Sequence, residues 1–283
     1  MDSDDIDAGA YLRRVGYTGP REPSLALLRD LVARHTAAIA FENIDPIARR
    51  VPSLDLTSLQ LKLVAQRRGG YCYEQNTLFQ AVLRTLGFAV TGLLARVRRG
   101  LPPDVVTART HMLLRVDLPE STYLADVGFG ALTPTAPLAL RPDVEQATPN
   151  EVFRLRAIGE EYLLQAAVGS VWEDIYQLAL LPQLPADYAM VNWFTATRPN
   201  ALFVENLMVT RPTPGLRRTL FNHVYTMRHT GEPPERRVLR TRDEYERVMV
   251  EAFGLTPEAA DMTAVMALMD RHDADQPQPG PFA

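Results

Sequence analysis

The segment Arg68-Gly69-Gly70-Tyr71-Cys72-Tyr73-Glu74-Gln75-Asn76 contains the only cysteine of a 283-residue chain. Apolar residues follow it at helical spacing, Leu78, Val82 and Leu86, and Gly87 then stops the pattern, so a helix is predicted to begin at about Cys72. That start puts the thiol at a helix N-terminus, where unpaired backbone N–H groups favour the thiolate. The two glycines allow a tight turn before it and predict a sulfur open to a substrate. A lone cysteine is more often a small buried hydrophobe, and this placement argues for chemistry instead.

Upstream of this segment the chain reads as helices. Pro23-Ser24 precedes Leu27, Leu28, Leu31 and Val32, and Thr57 and Ser58 precede Leu59 and Leu63. Downstream the pattern changes to short runs rich in Val, Leu, Phe and Tyr over 88–97, 110–116, 122–127, 152–157 and 162–168, which suggest an antiparallel sheet or small barrel. Strand-like stretches over 202–210, 219–229 and 237–240 then precede a helix with a Thr241/Glu244 capping box, an apolar face of Tyr245, Met249 and Phe253, and a Gly254 stop. A second short helix is expected from Thr256-Pro257, and the tail 276–283 reads as disordered. The fold class is α+β, with helices over 1–87, strands over 88–198 and an α/β module over 199–275.

Composition narrows the function. A net charge of −4 and 46% hydrophobic residues describe an ordinary globular protein without the basic excess of a nucleic-acid binder. The acidic opening Asp2, Asp4, Asp5 and Asp7 is unlike a secretory leader and no apolar run is long enough to span a bilayer, so the expected location is cytoplasmic, with no membrane partner. One cysteine rules out an intrachain disulfide and paired-cysteine metal sites; no metal is expected. The only lysine, Lys62, lies in Leu61-Lys62-Leu63 with no glycine loop before it, against both a phosphate-binding loop and a Schiff base. Gly128-Phe129-Gly130 begins like a dinucleotide fingerprint, but Thr133 stands where its third glycine belongs.

A reactive thiol needs a base and a group that orients the base. Of the five histidines, His35, His223, His229 and His272 have no suitable setting, whereas His111 opens an apolar strand and Asp126 ends the next one. Taking 119–121 as the turn pairs Leu118 with Thr122, Val116 with Leu124, Leu114 with Asp126 and His111 with Phe129. A bulge or twist must then bring His111 to Asp126. Each residue alone has an ordinary reading, a strand histidine and a strand-end turn former.

Together, Phe41-Glu42-Asn43-Ile44-Asp45, the Arg68 to Asn76 segment, Thr110-His111-Met112-Leu113-Leu114-Arg115-Val116 and Asp126-Val127-Gly128-Phe129-Gly130 closely resemble the arylamine N-acetyltransferases in order and spacing, from about Tyr11 to Phe253. The resemblance implies a helical bundle, a β-barrel and an α/β lid around a cysteine-protease-like core. It implies that Cys72 is the acetylated nucleophile, His111 the acid/base and Asp126 its orienting carboxylate. Phe41, Phe129 and Phe203 would line the slot for the aromatic amine, each being otherwise ordinary core packing. Arg68 would anchor the active-site turn, paired with Glu42, and Thr110 would contact coenzyme A.

The resemblance further implies ping-pong transfer from acetyl-coenzyme A, with no permanently bound cofactor, to aromatic amines, hydrazines or hydroxylamines; a homodimer is left open. After Asn192-Trp193, bacterial relatives typically have a Ser-Thr-His-Pro-Gly-Ser-like run. Here Ala196-Thr197-Arg198-Pro199-Asn200-Ala201 lacks two hydroxyls and the glycine, and Arg198 is a candidate replacement that could pair with a phosphate. Two other readings stay open: a thiol hydrolase or amide-forming acyltransferase of similar architecture, and a non-catalytic ligand-binding relative.

Overall fold

The computed structural model describes residues 6–102 and 104–272; the tail 276–283 lies outside them. The N-terminal region comprises α1 (Ala8–Arg14), α2 (Leu25–Ala38), a two-residue strand β1 (Phe41–Glu42), α3 (Ile44–Ile47), α4 (Leu56–Leu59) and α5 (Cys72–Thr85). Ser24 caps α2 by accepting from the Leu27 amide at 3.2 Å. The second expected helix starts earlier than Thr57: Asp55 accepts from Ser58 N at 2.8 Å, a better cap than a hydroxyl inside the first turn. α4 then widens into a π-helical segment, Gln60–Ala65, which turns Lys62 inward.

Eight strands follow as one antiparallel sheet: β2 (Ala89–Val97), β3 (Arg109–Leu118), β4 (Ser121–Ala125), β5 (Leu138–Ala139), β6 (Glu145–Ala147), β7 (Val152–Ile158), β8 (Glu161–Val168) and β9 (Val171–Leu178). Their order is β5-β4-β3-β2-β9-β8-β7-β6. The two edges are joined by the Gln146 side chain, which accepts from Ala139 N at 2.7 Å and donates to Ala139 O at 2.9 Å. A bridge between Pro142 and Leu155 completes the near-closure into a barrel. The interior and α5 share one core with Leu28, Phe79, Val82, Leu93, Leu113 and Phe153.

The register of the β3–β4 hairpin differs from the expected one by a residue. Leu118 pairs with Ser121, Val116 with Tyr123 and Leu114 with Ala125, because the turn is the two-residue Pro119-Glu120. β4 ends at Ala125, which leaves Asp126 in a bend free of ladder pairing.

After the barrel come α6 (Pro185–Thr197) and α7 (Leu202–Glu205), then β10 (Met208–Thr213), β11 (Leu216–Phe221), β12 (Val224–His229), β13 (Glu235–Val238), α8 (Arg242–Val248) and α9 (Ala259–Met269). The stretch 202–205 expected as strand is therefore helical; Asn43 Nδ2 holds its end by donating to Phe203 O at 2.8 Å and to Asn206 O at 2.7 Å. The run 219–229 is two strands joined at Asn222, which adopts φ 48°. Thr241 and Glu244 form the expected capping box, α8 continues as a π segment over Met249–Phe253, and Gly254 closes it at φ 68°. α9 starts at Ala259, two residues beyond Pro257.

The lid sheet has the order β1-β10-β11-β12-β13, so its first strand is Phe41–Glu42 from the N-terminal region. Ala40, Ile44 and Ile47 likewise pack into the lid core with Leu207, Tyr245 and Met249. The chain thus brings the segment after α2 against the lid, and the turn before α5 lies beside that junction.

Candidate active site

Cys72 is the first residue of α5. The turn before it is fixed by close backbone packing. A Cβ on Gly69 would stand 2.3 Å from Ala40 O, so only glycine fits there, and one on Gly70 would stand 2.7 Å from Glu74 Oε2 and push that carboxylate from its place. Neither glycine adopts positive φ, so close approach and not a special turn requires them. Gly70 N donates to Ala40 O at 3.3 Å, Glu42 N to Gly70 O at 3.1 Å, and Gln75 Nε2 donates to both carbonyls, Ala40 O at 3.0 Å and Gly70 O at 2.9 Å. Cys72 is 3% exposed and lies recessed at the floor of a pocket, the side from which a substrate would reach it.

His111 Nε2 lies 2.7 Å from Asp126 Oδ2, with both side chains buried. The bulge or twist expected between β3 and β4 is not the device used: β3–β4 pairs without a register shift, and a bulge lies on the other side of β3. The register with β2 shifts between Ala95 and Arg96, leaving Thr110 unpaired next to His111. Cys72 is a hydrogen-bond and charge partner of the same ring. Because Nε2 faces Asp126, the nitrogen available to the sulfur is Nδ1. Burial disfavours the imidazolium, but the charge and hydrogen bond of Asp126, with a smaller contribution from Cys72, outweigh it and hold the imidazole up at about 10. At neutral pH the ring carries a proton on each nitrogen.

Asp126 is the centre of a polar knot. Its Oδ1 accepts from Gly128 N at 2.9 Å and from Asn76 Nδ2 at 3.2 Å. The Tyr176 hydroxyl also donates to this carboxylate; burial, then the Asp126 charge and that hydrogen bond, push the Tyr176 phenol well above 10. Asn76, one turn after Cys72 on α5, additionally donates to Met112 O at 2.8 Å and accepts from Val127 N at 3.2 Å. One amide thus fastens the helix that carries the thiol to the two segments that carry the imidazole and the carboxylate. A Cβ on Gly128 would stand 2.8 Å from Cys72 Cα, which shows how closely the 126–128 bend lies over the sulfur.

Behind the turn is an ionic cluster. Arg68 Nη2 lies 2.9 Å from Glu42 Oε1 and its Nη1 2.9 Å from Asp261 Oδ2 on α9. Lys62 Nζ lies 2.6 Å from both Asp45 Oδ2 and Glu74 Oε1, and Glu74 Oε2 accepts from Tyr71 N at 3.1 Å. Burial, opposed by Lys62, lifts the Glu74 carboxyl to about 7. Lys62, Asn76, Glu74 and Tyr176 were not singled out as site residues from sequence. A signal existed for Asn76, four residues beyond Cys72 on one helical face.

The pocket above Cys72 has a volume of about 530 Å³ and is lined by Phe41, Phe129, Phe203, Thr110, Arg198 and Phe194, among others. Phe41 and Phe203 meet at 5.7 Å between ring centroids, and Phe129 meets His111 edge-on at 5.0 Å. Thr110 O accepts from the Tyr73 hydroxyl at 2.6 Å. Arg198 is exposed at the end of α6, its guanidinium 5.1 Å over the Phe194 ring. Phe194 was not anticipated. Among the described residues no three His, Cys, Asp or Glu side chains converge as metal ligands.

A family model described as N-acetyltransferase matches residues 24–262. The arylamine N-acetyltransferase of Escherichia coli K12 is 39% identical over 270 residues, covering 93% of this chain and 96% of that protein. The arylamine N-acetyltransferase / N-hydroxyarylamine O-acetyltransferase of Salmonella typhimurium LT2 is 36% identical over 271 residues, with the same coverage. The solved structure of the Mycobacterium marinum arylamine N-acetyltransferase in complex with CoA superposes with a TM-score of 0.88 at 37% identity, covering 94% of this chain and 99% of that one.

Proposed function

The chain belongs to the arylamine N-acetyltransferase family, and from that premise we propose that it moves an acetyl group from acetyl-coenzyme A to the nitrogen of an arylamine, arylhydrazine or arylhydroxylamine through acetyl-Cys72. The observation that carries this reading is one imidazole held between a buried carboxylate and the chain's only cysteine, at the floor of an aromatic pocket.

In the first half-reaction the Cys72 thiolate, paired with the His111 imidazolium, attacks the thioester carbonyl carbon. The new C–S bond forms, the C–S bond to coenzyme A breaks, and the His111 proton leaves on the departing thiol. In the second half the amine nitrogen attacks the acetyl carbon, the bond to Cys72 breaks, and His111 takes the proton shed by nitrogen. Asp126 keeps Nε2 engaged so that Nδ1 always faces the reacting atoms. Acid–base help of this kind contributes about 10²- to 10⁴-fold in rate.

Phe41, Phe129 and Phe203 supply flat apolar walls suited to an aryl ring and unfavourable to water, which favours aminolysis over hydrolysis of the thioester. Arg68 and Glu42 act as supports of the turn. Thr110 and Arg198 are assigned to coenzyme A, Arg198 as a phosphate partner at the pocket mouth. Arg198→Gln is expected to raise KM for acetyl-coenzyme A while leaving kcat unchanged, and an unchanged KM would remove that assignment. No helix among the described residues is long and apolar enough to cross a membrane. The cytoplasm is the proposed location.

Intact-protein mass spectrometry tests the reaction directly. Acetyl-coenzyme A should add one acetyl group at Cys72, and an aniline should remove it as the acetanilide. Cys72→Ser should form no such adduct, because a hydroxyl is far less ionised near neutral pH. Release of acetate without amine would instead indicate a hydrolase, and no adduct with wild-type protein a non-catalytic relative.

A further inference from the structure

On the other side of the active-site turn, a second pocket of about 400 Å³ is bordered by five arginines, Arg13, Arg14, Arg34, Arg67 and Arg211, and by no carboxylate. In a chain of net charge −4 this is a marked local excess of positive charge. Arg13 reaches Asp7 at 3.9 Å along the exposed face of α1; among the described residues none of the other four forms an ion pair with an acid.

Arg14 and Arg211 are held in place by backbone carbonyls. Arg14, buried, donates through Nε to Leu63 O at 3.0 Å, and Arg211, half-buried, through Nε to Ala37 O at 2.7 Å. Their forks remain for another acceptor, and Arg211 Nη1 lies 3.0 Å from where a Cβ on Gly254, itself at the pocket wall, would stand. Arg34 is fixed at the rim by its bond to Gly16 O at 2.6 Å. Arg67, also at the rim, sits at φ 56°, a left-handed conformation that a non-glycine residue adopts at a cost. Burial first, then the charges of Arg67 and Arg211, bring the Arg14 guanidinium down to about 10, so the three groups lie close enough to repel.

We propose that this pocket is a binding site for a phosphate-class oxyanion. Pre-oriented guanidinium forks match tetrahedral oxyanions, and an anion there neutralises a repulsion that the fold leaves uncompensated. Because the arginines come from α1, α2, the turn at 66–68 and β10, the anion clips the helical bundle to the lid beside the nucleophile turn. The site shares no lining residue with the pocket above Cys72.

The test measures thermal unfolding and calorimetric binding with inorganic phosphate and with pyrophosphate, against chloride at matched ionic strength. A saturable rise in Tm is expected, roughly 5 °C at a hundredfold excess over Kd. The rise should persist in Arg198→Gln, which alters the mouth of the other pocket. It should disappear in Arg67→Gln/Arg211→Gln. Arg67→Gly, whose backbone accepts φ 56° without strain, keeps the test decisive if the double variant fails to fold, and should weaken pyrophosphate at least tenfold. Absence of a saturable rise in the wild type, its survival in the Arg67 and Arg211 variants, or its loss in Arg198→Gln would overturn the proposal. A response to pyrophosphate alone would place the ligand among diphosphates, and an equal response to both anions would point to a single phosphoryl group.

Discussion

Replacing Asp126 by asparagine keeps the shape of the site and removes one charge. Asp126 Oδ1 accepts from Gly128 N and Asn76 Nδ2, so the introduced amide must keep its oxygen there and turn its NH₂ toward His111 Nε2. Nε2 then becomes an acceptor, and the single ring proton moves to Nδ1, the nitrogen that faces the sulfur. The base is left unable to take a proton from the thiol. Holding an imidazole at about 10 against an ordinary 6.5 corresponds to roughly 5 kcal/mol of net preference for the imidazolium, and because burial opposes it, Asp126 together with the smaller contribution of Cys72 supplies more than this. Without it, burial outweighs the smaller contribution of Cys72 and the ring is neutral at pH 7. Acetyl-enzyme formation is expected to fall about 10³- to 10⁴-fold in stopped-flow release of coenzyme A, in line with what an orienting carboxylate contributes in triads of this logic. Stability carries a second signature. A folded-state value raised above the unfolded one gives stabilisation fully present below about pH 6.5 and lost as pH rises through about 10. The gap in unfolding free energy between wild type and Asp126→Asn should therefore narrow across that window. An Asp126→Asn protein acetylated within tenfold of the wild-type rate, or a gap that does not change between pH 6.5 and 10, would refute this account of the site.

Gly128→Ala places a methyl 2.8 Å from Cys72 Cα and 3.2 Å from Cys72 O, which only backbone movement relieves. A folded protein by circular dichroism with acetylation reduced about 100-fold or more is expected, since displacement of order 1 Å at a reacting group has that effect. Lys62→Gln leaves Glu74 and Asp45 without their shared ammonium. Breaking a buried pair on one side destabilises by about 3 kcal/mol, read as a Tm drop of roughly 5–10 °C. The loss should be smaller at pH 5 than at pH 8, because a Glu74 held up at about 7 is protonated at the lower pH and then needs no cation. A Tm unchanged at both pH values would remove the ionic cluster from the supports of the turn.

What could be read from the sequence is what local rules determine. Helix α5 announces itself by Leu78, Val82 and Gly87, and α8 by its Thr241/Glu244 box, because spacing and caps lie within a few residues of one another. The hairpin register was missed by one residue because two-residue and three-residue turns at Pro119 differ little in local preference. The structure is decided by side chains on the flanking strands, among them Asp117 accepting from Thr122 at 2.6 Å. Strand β9 lies outside the expected strands although Gly169-Ser170 between Val168 and Val171 is a hairpin signal, with Gly169 at φ 59°. With it went Tyr176, which stacks on His111 at 5.0 Å and donates to Asp126. Helix α6 lies outside the expected helices although Pro185 stands at its start and Asp187 accepts from Leu184 N at 2.8 Å. It supplies Asn192, whose side-chain Oδ1 accepts from the Tyr71 hydroxyl.

The missed residues share a physical cause. Cys72, His111 and Asp126 have ordinary readings one at a time and become legible together, through the order and spacing of the segments that carry their functional groups. Asn76, Gly128 and Tyr176 matter only through where their partners lie in space. The thiol belongs to a helix and the imidazole and carboxylate to a barrel, so their alignment is a packing problem between elements 36 to 51 residues apart along the chain. Hydrophobic contact between α5 and β3 sets the separation of these elements but tolerates sliding, since apolar contact is not directional. Asn76 removes that freedom: its amide has two polar ends, and the structure satisfies both, on strand β3 and on the bend after β4, within hydrogen-bond tolerance. The glycine at 128 then lets the bend approach the sulfur more closely than any side chain would allow. Apolar packing brings the two halves of the site together, and directional polar contacts with close glycine backbone fix their register.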